Sequence, residues 1–292
     1  SCELAVKMAR KYWFEKGYPN KFEIITFEGS FHGRSSAGIA ATASEKMTKG
    51  FGPLLPGFIN INLNNHETIK TTVSEKTAAI LIEPIQGEGG IRVLPEPFLK
   101  EIREICDEKN ILLILDEVQC GVGRTGKLFA HEWVEIEPDI MMVAKGIGGG
   151  FPLGAVLAKE NAASGMTAGT HGSTYGGNPL GCSIGLKVMD IISDPDFLYD
   201  VNRKAKLFHE GLLELLKKNT SIFEEVRGKG LMLGLKCKVQ NIDVVNAGYS
   251  NKLLTVPAGD NVVRLLPPLT ISDKDINEAL NKLDGVMTAL SQ

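Results

Sequence analysis

Two charged residues follow apolar runs that are typical of buried β-strands, and their types could carry out chemistry together. Asp116 ends the run ILLILD at residues 111–116, and Lys145 directly follows the run IMMVA at residues 140–144. Ligands of open α/β sheets bind at the carboxyl ends of the strands. We therefore expect Asp116 and Lys145 to lie at one edge of a sheet, beside a crevice.

A buried carboxylate in such a position needs a cationic partner, because an unpaired charge is costly to bury. A protonated pyridine nitrogen is one such partner, and an acid that keeps this nitrogen protonated makes the ring an electron sink. The alternative is an acid that caps a helix or forms a salt bridge at the strand end. Asp116 taken alone favours that alternative.

Lys145 suits the same kind of site. A lysine at the end of an apolar strand is expected to be desolvated, which favours the neutral amine that forms imines with carbonyl compounds. Glycines follow at residues 146 and 148–150, and glycine lets a backbone approach a ligand closely. The alternative is a lysine whose ammonium group reaches solvent. Acid, lysine and glycines together favour a ring-binding site.

Two further segments carry side chains that suit such a ligand. Residues 169–179, GTHGSTYGGNP, place Ser173 and Thr174 among glycines just before a predicted helix, and such a loop can donate hydrogen bonds to a phosphate. In the segment FHGR, Phe31 could stack on a flat ring and Arg34 could bind a carboxylate with two parallel hydrogen bonds.

A last pair joins an arginine and an acid that are distant in sequence. Arg264 stands inside the apolar run VVRLL, and Glu88 lies in the glycine-rich segment EPIQGEGG. An arginine within an apolar strand requires an acid or a substrate carboxylate as its partner.

One glycine motif points to a different ligand and is rejected. Residues 121–126, GVGRTG, match the G-x-G-x-x-G pattern of dinucleotide-binding turns. That pattern should directly follow a strand and open a helix, whereas here the strand ends at Asp116 and the residues after the motif do not read as a helix. A dinucleotide site is therefore disfavoured.

The elements around these residues alternate as in an α/β protein with a mostly parallel central sheet. A second, smaller α/β domain is predicted from 195 to 292, after a large ligand-binding domain at 1–194. Strands are expected at 23–27, 78–83, 111–116, 140–144, 153–158, 224–226, 230–235 and 262–266. Helices are expected at 97–109, 180–192, 195–219 and from about Asp273.

Composition is that of an ordinary globular protein and excludes several functions. The chain has 292 residues, 43% of them hydrophobic, and a formal net charge of −3 without a basic block, so neither nucleic acid nor a membrane is an expected partner. The five cysteines and five histidines lack metal-ligand spacing, so no metal is expected. The scattered cysteines also indicate a reducing, cytoplasmic location. The chain opens within a helix pattern, and further sequence is expected before it.

Six segments, in order along the whole chain, resemble the class III aminotransferases: FHGR, EPIQGEGG, LDEVQCGVGRTG, AKGIGGGFPLGA, HGSTYGGNPLG and LLTVPAGDNVVRLLPPL. The resemblance implies a fold type I transferase with pyridoxal 5′-phosphate (PLP) as its cofactor. Lys145 would hold the cofactor covalently and later transfer a proton, and Asp116 would pair with the pyridine nitrogen. Gln119 would bond the ring hydroxyl, while Val118 and Phe31 would pack on the two ring faces.

The resemblance also implies substrates and a partner. Ser173 and Thr174 would reach the cofactor phosphate of the neighbouring subunit in a homodimer with shared active sites. Arg34 would bind the α-carboxylate of the amino donor, and Arg264 would bind 2-oxoglutarate, with Glu88 masking Arg264 when the other substrate is bound.

The expected reaction transfers the δ-amino group of N-acetylornithine to 2-oxoglutarate, as in arginine biosynthesis. Ornithine, succinylornithine or another ω-amine are alternative donors. A non-catalytic relative that only binds a ligand is the alternative from a different class, and the combination of Asp116, Lys145 and Arg264 argues against it. The phosphate-binding turn of the family is expected before Glu3, outside the sequence given.

Overall fold

The computed structural model describes residues 1–42, 44–63 and 66–290. Its helices are α1 (Cys2–Glu15), α2 (Ser36–Ala41), α3 (Glu45–Thr48), α4 (His66–Thr72), α5 (Glu96–Glu108), α6 (Glu160–Ala163), α7 (Pro179–Ile192), α8 (Pro195–Lys218), α9 (Asn241–Ser250) and α10 (Asp273–Leu290). Its strands are β1 (Glu23–Phe27), β2 (Phe58–Ile61), β3 (Thr77–Ile82), β4 (Ile85–Gln86), β5 (Arg92–Val93), β6 (Leu112–Asp116), β7 (Ile140–Ala144), β8 (Gly154–Ala158), β9 (Phe223–Lys229), β10 (Met232–Cys237), β11 (Val256–Ala258) and β12 (Val262–Leu265).

The chain forms two compact units. The first comprises Ser1–Pro84, Leu94–Val122 and His131–Asp190, and the second comprises Ile85–Val93, Gly123–Ala130 and Ile191–Gln292. Two short segments of the first half of the sequence thus belong to the second unit. The domain assignment made from the sequence, with its boundary at residues 194 and 195, stays a prediction.

The first unit is built on a six-stranded sheet in the order β2-β1-β3-β6-β7-β8. All neighbours pair in parallel except β7 and β8, which are antiparallel. The prediction of a mostly parallel central sheet is therefore confirmed. Since parallel strands end at the same edge, the residues that follow β1, β3, β6 and β7 share one edge of the sheet.

Helices cover both faces of this sheet, which is why its strands are apolar throughout. On one face α1 packs with alternate strand residues such as Leu112 and Ile114. On the other face α5 packs through one stripe, Phe98, Leu99, Ile102, Ile105 and Cys106, against the residues between them. The stripe has the spacing of an amphipathic helix, as the sequence indicates.

The second unit contains a four-stranded antiparallel sheet in the order β11-β12-β10-β9. Helices α8, α9 and α10 bury their apolar residues against it, including Phe208, Leu212, Val244, Leu283 and Val286. The short hairpin β4–β5 also belongs to this unit.

Most predicted elements are observed within a few residues of their expected bounds, and the differences have local causes. The strand predicted at 230–235 begins instead at Met232, because Gly230, at φ +60, turns the chain between β9 and β10. Strands β2 and β11 had no sequence prediction; each is short and lies at an edge of its sheet. Within the described residues no helix is long and apolar enough to cross a membrane.

Candidate active site

A cavity of about 310 Å³ opens at the carboxyl edge of the parallel sheet. It contains residues from four places in the sequence, and four of the predicted site residues are among them. It is lined by Ser1, Cys2, Glu3, Phe31, His32, Gly33, Ser35, Asp116, Val118, Ala144 and Lys145. The sheet therefore brings Phe31, Asp116, Val118 and Lys145 together.

Asp116 is buried and its carboxylate is fixed by two hydrogen bonds. Its Oδ2 atom lies 2.8 Å from Nδ1 of His32, and its Oδ1 atom accepts the backbone N–H of Val118 at 3.0 Å. Among the described residues no lysine or arginine forms an ion pair with it. A buried carboxylate without a fixed positive charge is a suitable partner for a cationic ligand.

His32 contacts Asp116 in this site, although the sequence analysis gave it no role. The ring is buried, and its Nε2 atom has no hydrogen-bond partner among the described residues. A proton on Nδ1 and a bare Nε2 therefore avoid a buried N–H group without an acceptor. In this form the Nδ1–H of His32 donates to the carboxylate of Asp116. The only sequence signal was its place in FHGR.

The loop that carries Phe31 is held on both sides. The backbone N–H of Phe31 donates to Oε2 of the buried Glu83 at 3.0 Å, and the N–H of His32 donates to Oγ1 of Thr42 at 3.3 Å. Arg34 is exposed, with its guanidinium carbon 5.5 Å from the centre of the Phe31 ring. These contacts fix the backbone that carries Phe31 at the cavity, and the exposed arginine is accessible to a solute.

Lys145 differs from its expectation in one respect. It lines the cavity, but its side chain is exposed in this chain, so the predicted desolvation is wrong here. The cause is local: β7 ends at Ala144, and Lys145, at φ +47, starts a 3₁₀ turn that leaves the sheet. A positive φ is uncommon for a residue with a side chain and often marks functional sites.

The cysteine at the cavity, Cys2, has an unreactive thiol. Burial, together with the negative charges of Asp116 and Glu3, raises the pKa of the Cys2 thiol to about 12. The thiol is therefore protonated at neutral pH and is not a nucleophile. Within the described residues no group of histidine, cysteine and acidic side chains could hold a metal ion.

Three predicted cofactor ligands do not line this cavity. Ser173 and Thr174 are exposed on the loop before α7, and Gln119 is half-buried after Val118.

The predicted pair in the second unit is formed. Glu88 Oε1 lies 2.7 Å from an Nη atom of Arg264. The arginine side chain is only 6% exposed, whereas the glutamate is 33% exposed. Arg264 is thus the buried, fixed member, and Glu88 is the member that solvent can reach.

The rejected glycine motif has a packing role. A Cβ atom on Gly126 would lie 2.1 Å from Oδ1 of Asn202 in α8, and one on Gly123 would lie 2.7 Å from Cγ2 of Ile192. Arg124 donates to the carbonyls of Leu231 and Pro267, and burial lowers its pKa to about 10. Gly123 and Gly126 therefore permit close packing within the second unit, which explains these two glycines without a dinucleotide.

A buried aspartate, an aromatic side chain and a lysine at the carboxyl edge of a mostly parallel sheet define a site for a flat, cationic ring. Residues 1–287 match the family model described as aminotransferase class-III. The chain belongs to the class III aminotransferases and is a PLP-dependent enzyme.

Individual aminotransferases are similar to this chain in sequence and in structure. The chain is 63% identical over 290 residues to the acetylornithine aminotransferase of Rhodobacter capsulatus, covering 99% of this chain and 74% of that one. A structure of ornithine aminotransferase from Toxoplasma gondii, with PLP at partial occupancy in its active site, superimposes with a TM-score of 0.93 at 31% identity, covering 99% of this chain and 70% of that one. The N-acetylornithine aminotransferase of Stenotrophomonas maltophilia K279a gives a TM-score of 0.83 at 35% identity, covering 99% and 72%.

The residues of the cavity fit PLP. The buried carboxylate of Asp116 has only hydrogen-bond partners, so it can pair with a protonated ring nitrogen. The rim offers the aromatic Phe31, the apolar Val118 and the amine of Lys145. The cavity thus offers an acid for the ring nitrogen, apolar side chains for the ring faces and an amine for the carbonyl carbon.

Proposed function

We propose that this enzyme transfers the δ-amino group of N-acetylornithine to 2-oxoglutarate, giving N-acetylglutamate semialdehyde and glutamate, as a step of arginine biosynthesis. The observation that carries the substrate is the 63% identity, over 99% of the chain, to an acetylornithine aminotransferase. Ornithine is the second candidate donor, because the ornithine aminotransferase of Toxoplasma gondii shares the fold closely.

The residues of the cavity divide the work as follows. Bound PLP supplies a ring that stabilises the negative charge left when a proton leaves the carbon beside the substrate nitrogen. Asp116 keeps the ring nitrogen protonated, His32 orients Asp116, and Gln119 bonds the ring hydroxyl. Phe31 and Val118 hold the two faces. Lys145 anchors the cofactor through Nζ, and the same amine, when free, moves the proton at the reacting carbon.

The Glu88–Arg264 pair addresses the need of one enzyme to accept two different substrates. N-acetylornithine reacts through its side-chain amine, with its α-carboxylate held by Arg34. 2-Oxoglutarate reacts at its keto carbon and brings a second carboxylate, which Arg264 binds. Glu88 neutralises Arg264 for the first substrate and withdraws for the second. The exposure of Glu88 and the burial of Arg264 support this assignment of the moving partner.

The active form is a homodimer in which Ser173 and Thr174 serve the cofactor phosphate of the partner. Two observations support this. Residues 171–177 are all exposed, including Tyr175 at 82%. Helix α7 is strongly apolar but leaves Leu180 and Leu186 more than half exposed. Apolar surface of this kind suits a second copy of the chain. A cytoplasmic location accords with the free cysteines.

The test is an absorbance titration of the protein with PLP, followed by addition of each amino donor. Protein-bound PLP should absorb at longer wavelength than free PLP, and N-acetylornithine should remove that band at far lower concentration than ornithine does. Lys145→Ala should not form the band. Equal or better use of ornithine would reassign the donor, and a band retained in Lys145→Ala would exclude this lysine as the anchor.

A further inference from the structure

Three residues form a row across the antiparallel sheet of the second unit. Gly234 of β10 is directly opposite Arg227 of β9 on one side and Arg264 of β12 on the other. Directly opposite residues project from the same face of a sheet. The two arginines therefore share a face, with Cα atoms about 10 Å apart, which is two strand spacings.

The segment that carries Glu88 lies on the gap that Gly234 leaves. A Cβ atom on Gly234 would lie 3.0 Å from Cγ1 of Ile91 and 3.1 Å from its Cβ. The residues 87–91, here called the Glu88 loop, therefore rest on the glycine between the two arginines. Arg264 binds the carboxylate of Glu88, and Arg227 donates to the carbonyl of Gly90 at 3.2 Å.

A second backbone holds the same loop. The N–H of Gly259, in the turn between β11 and β12, donates to the carbonyl of Glu88 at 2.8 Å. A Cβ atom on Gly90, at φ +108, would lie 2.6 Å from the carbonyl oxygen of Gly259. The two backbones are thus in direct contact, and neither position leaves room for a side chain.

Arg227 joins these two backbones through charged groups. Its guanidinium binds Asp260 in the β11–β12 turn at 2.8 Å and Glu225 in its own strand at 2.6 Å, in addition to Gly90. Lys236 also forms an ion pair with Asp260. The Arg227 side chain is only 16% exposed, so these contacts are partly shielded from solvent. One side chain therefore ties the Glu88 loop to the turn beside the strand of Arg264.

We propose that Arg227 is a specificity-determining positioning residue, which fixes the backbone of the Glu88 loop so that only the Glu88 side chain moves on and off Arg264. This rests on the proposed exchange between Glu88 and the second carboxylate of 2-oxoglutarate. A held backbone keeps the carboxylate at a high effective concentration near Arg264. A loose backbone lowers the occupancy of the Glu88–Arg264 pair and leaves Arg264 open to dicarboxylates at all times.

The test compares Arg227→Met with Arg203→Met in the PLP-loaded enzyme. Arg203 is the matched control, because it also binds two carboxylates of the second unit, Asp200 and Asp273, but on its exposed helical surface. The probe is glutarate, a five-carbon dicarboxylate without a reacting keto group, and its dissociation constant is measured by calorimetry. The KM for N-acetylornithine is measured in parallel.

Arg227→Met should bind glutarate about fivefold more tightly, an effect typical of residues in one hydrogen-bond network, and its KM for N-acetylornithine should rise. These opposite shifts would not result from general damage to the fold. Arg203→Met should leave both values unchanged. In the Glu88→Ala background, Arg227→Met should have no effect on glutarate.

Unchanged or weaker glutarate binding in Arg227→Met would overturn the inference. If Glu88→Ala alone leaves glutarate binding unchanged, the exchange at Arg264 fails instead, and the proposed function loses its second-substrate site. Thermal unfolding of each variant shows whether it folds. If Arg227→Met does not fold, Arg227→Lys is judged by the same two criteria, because lysine keeps the charge but cannot reach Gly90, Asp260 and Glu225 together.

Discussion

His32 and Asp116 show how one hydrogen bond prepares a site for charge. A buried carboxylate can pair with a ring nitrogen when its orientation is fixed. The His32 ring and the Val118 N–H fix the orientation of the Asp116 carboxylate. The unpartnered Nε2 atom of His32 favours the ring tautomer whose Nδ1–H donates to Asp116.

Replacement of His32 should separate this role from simple packing. His32→Leu removes the donor and should lower the free energy of unfolding by about 1.5–3 kcal/mol and weaken PLP binding, because a bond to a charged group is lost. His32→Asn keeps a donor of similar position and should recover most of both losses. Urea unfolding of the PLP-free protein and a PLP titration measure the two effects.

The control is His209→Leu on α8, whose ring makes no hydrogen bond among the described residues; it should change neither value. Equal losses in His32→Asn and His32→Leu would mean that the ring acts by its shape and not by its hydrogen bond.

At the scale of elements, the turn between β9 and β10 contacts Arg124 and Thr125 of the glycine motif within the second unit. Leu231 donates to the carbonyl of Arg124, and a Cβ atom on Gly230 would lie 2.4 Å from the carbonyl carbon of Thr125. Backbone, not a flexible side chain, is the obstacle. Gly230 therefore permits the close contact between this turn and the backbone of Arg124 and Thr125.

Gly230→Ala should be strongly destabilising for this reason. The left-handed φ of +60 costs about 1–2 kcal/mol for alanine, and the displaced Thr125 backbone adds about 1–3 kcal/mol. Gly17→Ala is the control, since Gly17 has φ +85 but nothing within 4 Å of an added Cβ. Urea unfolding of both variants measures the difference. Equal losses would show that conformation alone, without the Thr125 contact, accounts for the effect.

The sequence allowed prediction of those parts of the site that strand ends determine. Asp116 and Lys145 could be located because an apolar run stops at each of them, and parallel strands end at one edge. Glu83 also follows a strand, but its partner is the backbone N–H of Phe31, 52 residues away. This contact could not be predicted, because every residue type except proline has the same backbone N–H group. The exposure of Lys145 depends on its positive φ, which the presence of a lysine in the sequence does not predict.

At the scale of the whole molecule, the exposed loop before α7 is the part that a single chain does not explain. Ser173 and Thr174 lie outside the cavity that contains Asp116 and Lys145, and the residues around them are exposed. Hydroxyl groups among glycines suit a phosphate, and an apolar helix beside them suits a protein partner. A homodimer in which the loop of each subunit completes the site of the other subunit would meet both requirements.

Mixed dimers test this arrangement directly. Lys145→Ala and the double variant Ser173→Ala/Thr174→Ala should each be nearly inactive as homodimers. In a mixed dimer, one site carries both defects and the other carries neither, so mixing and subunit exchange should restore up to about half of the wild-type activity per mixed dimer, provided the sites act independently. Light scattering establishes the dimer, and tagged subunits isolate the mixed form. If the loops served their own subunit, each site would keep one defect and no activity would return, because exchange cannot repair a site whose defective residues all come from the same chain.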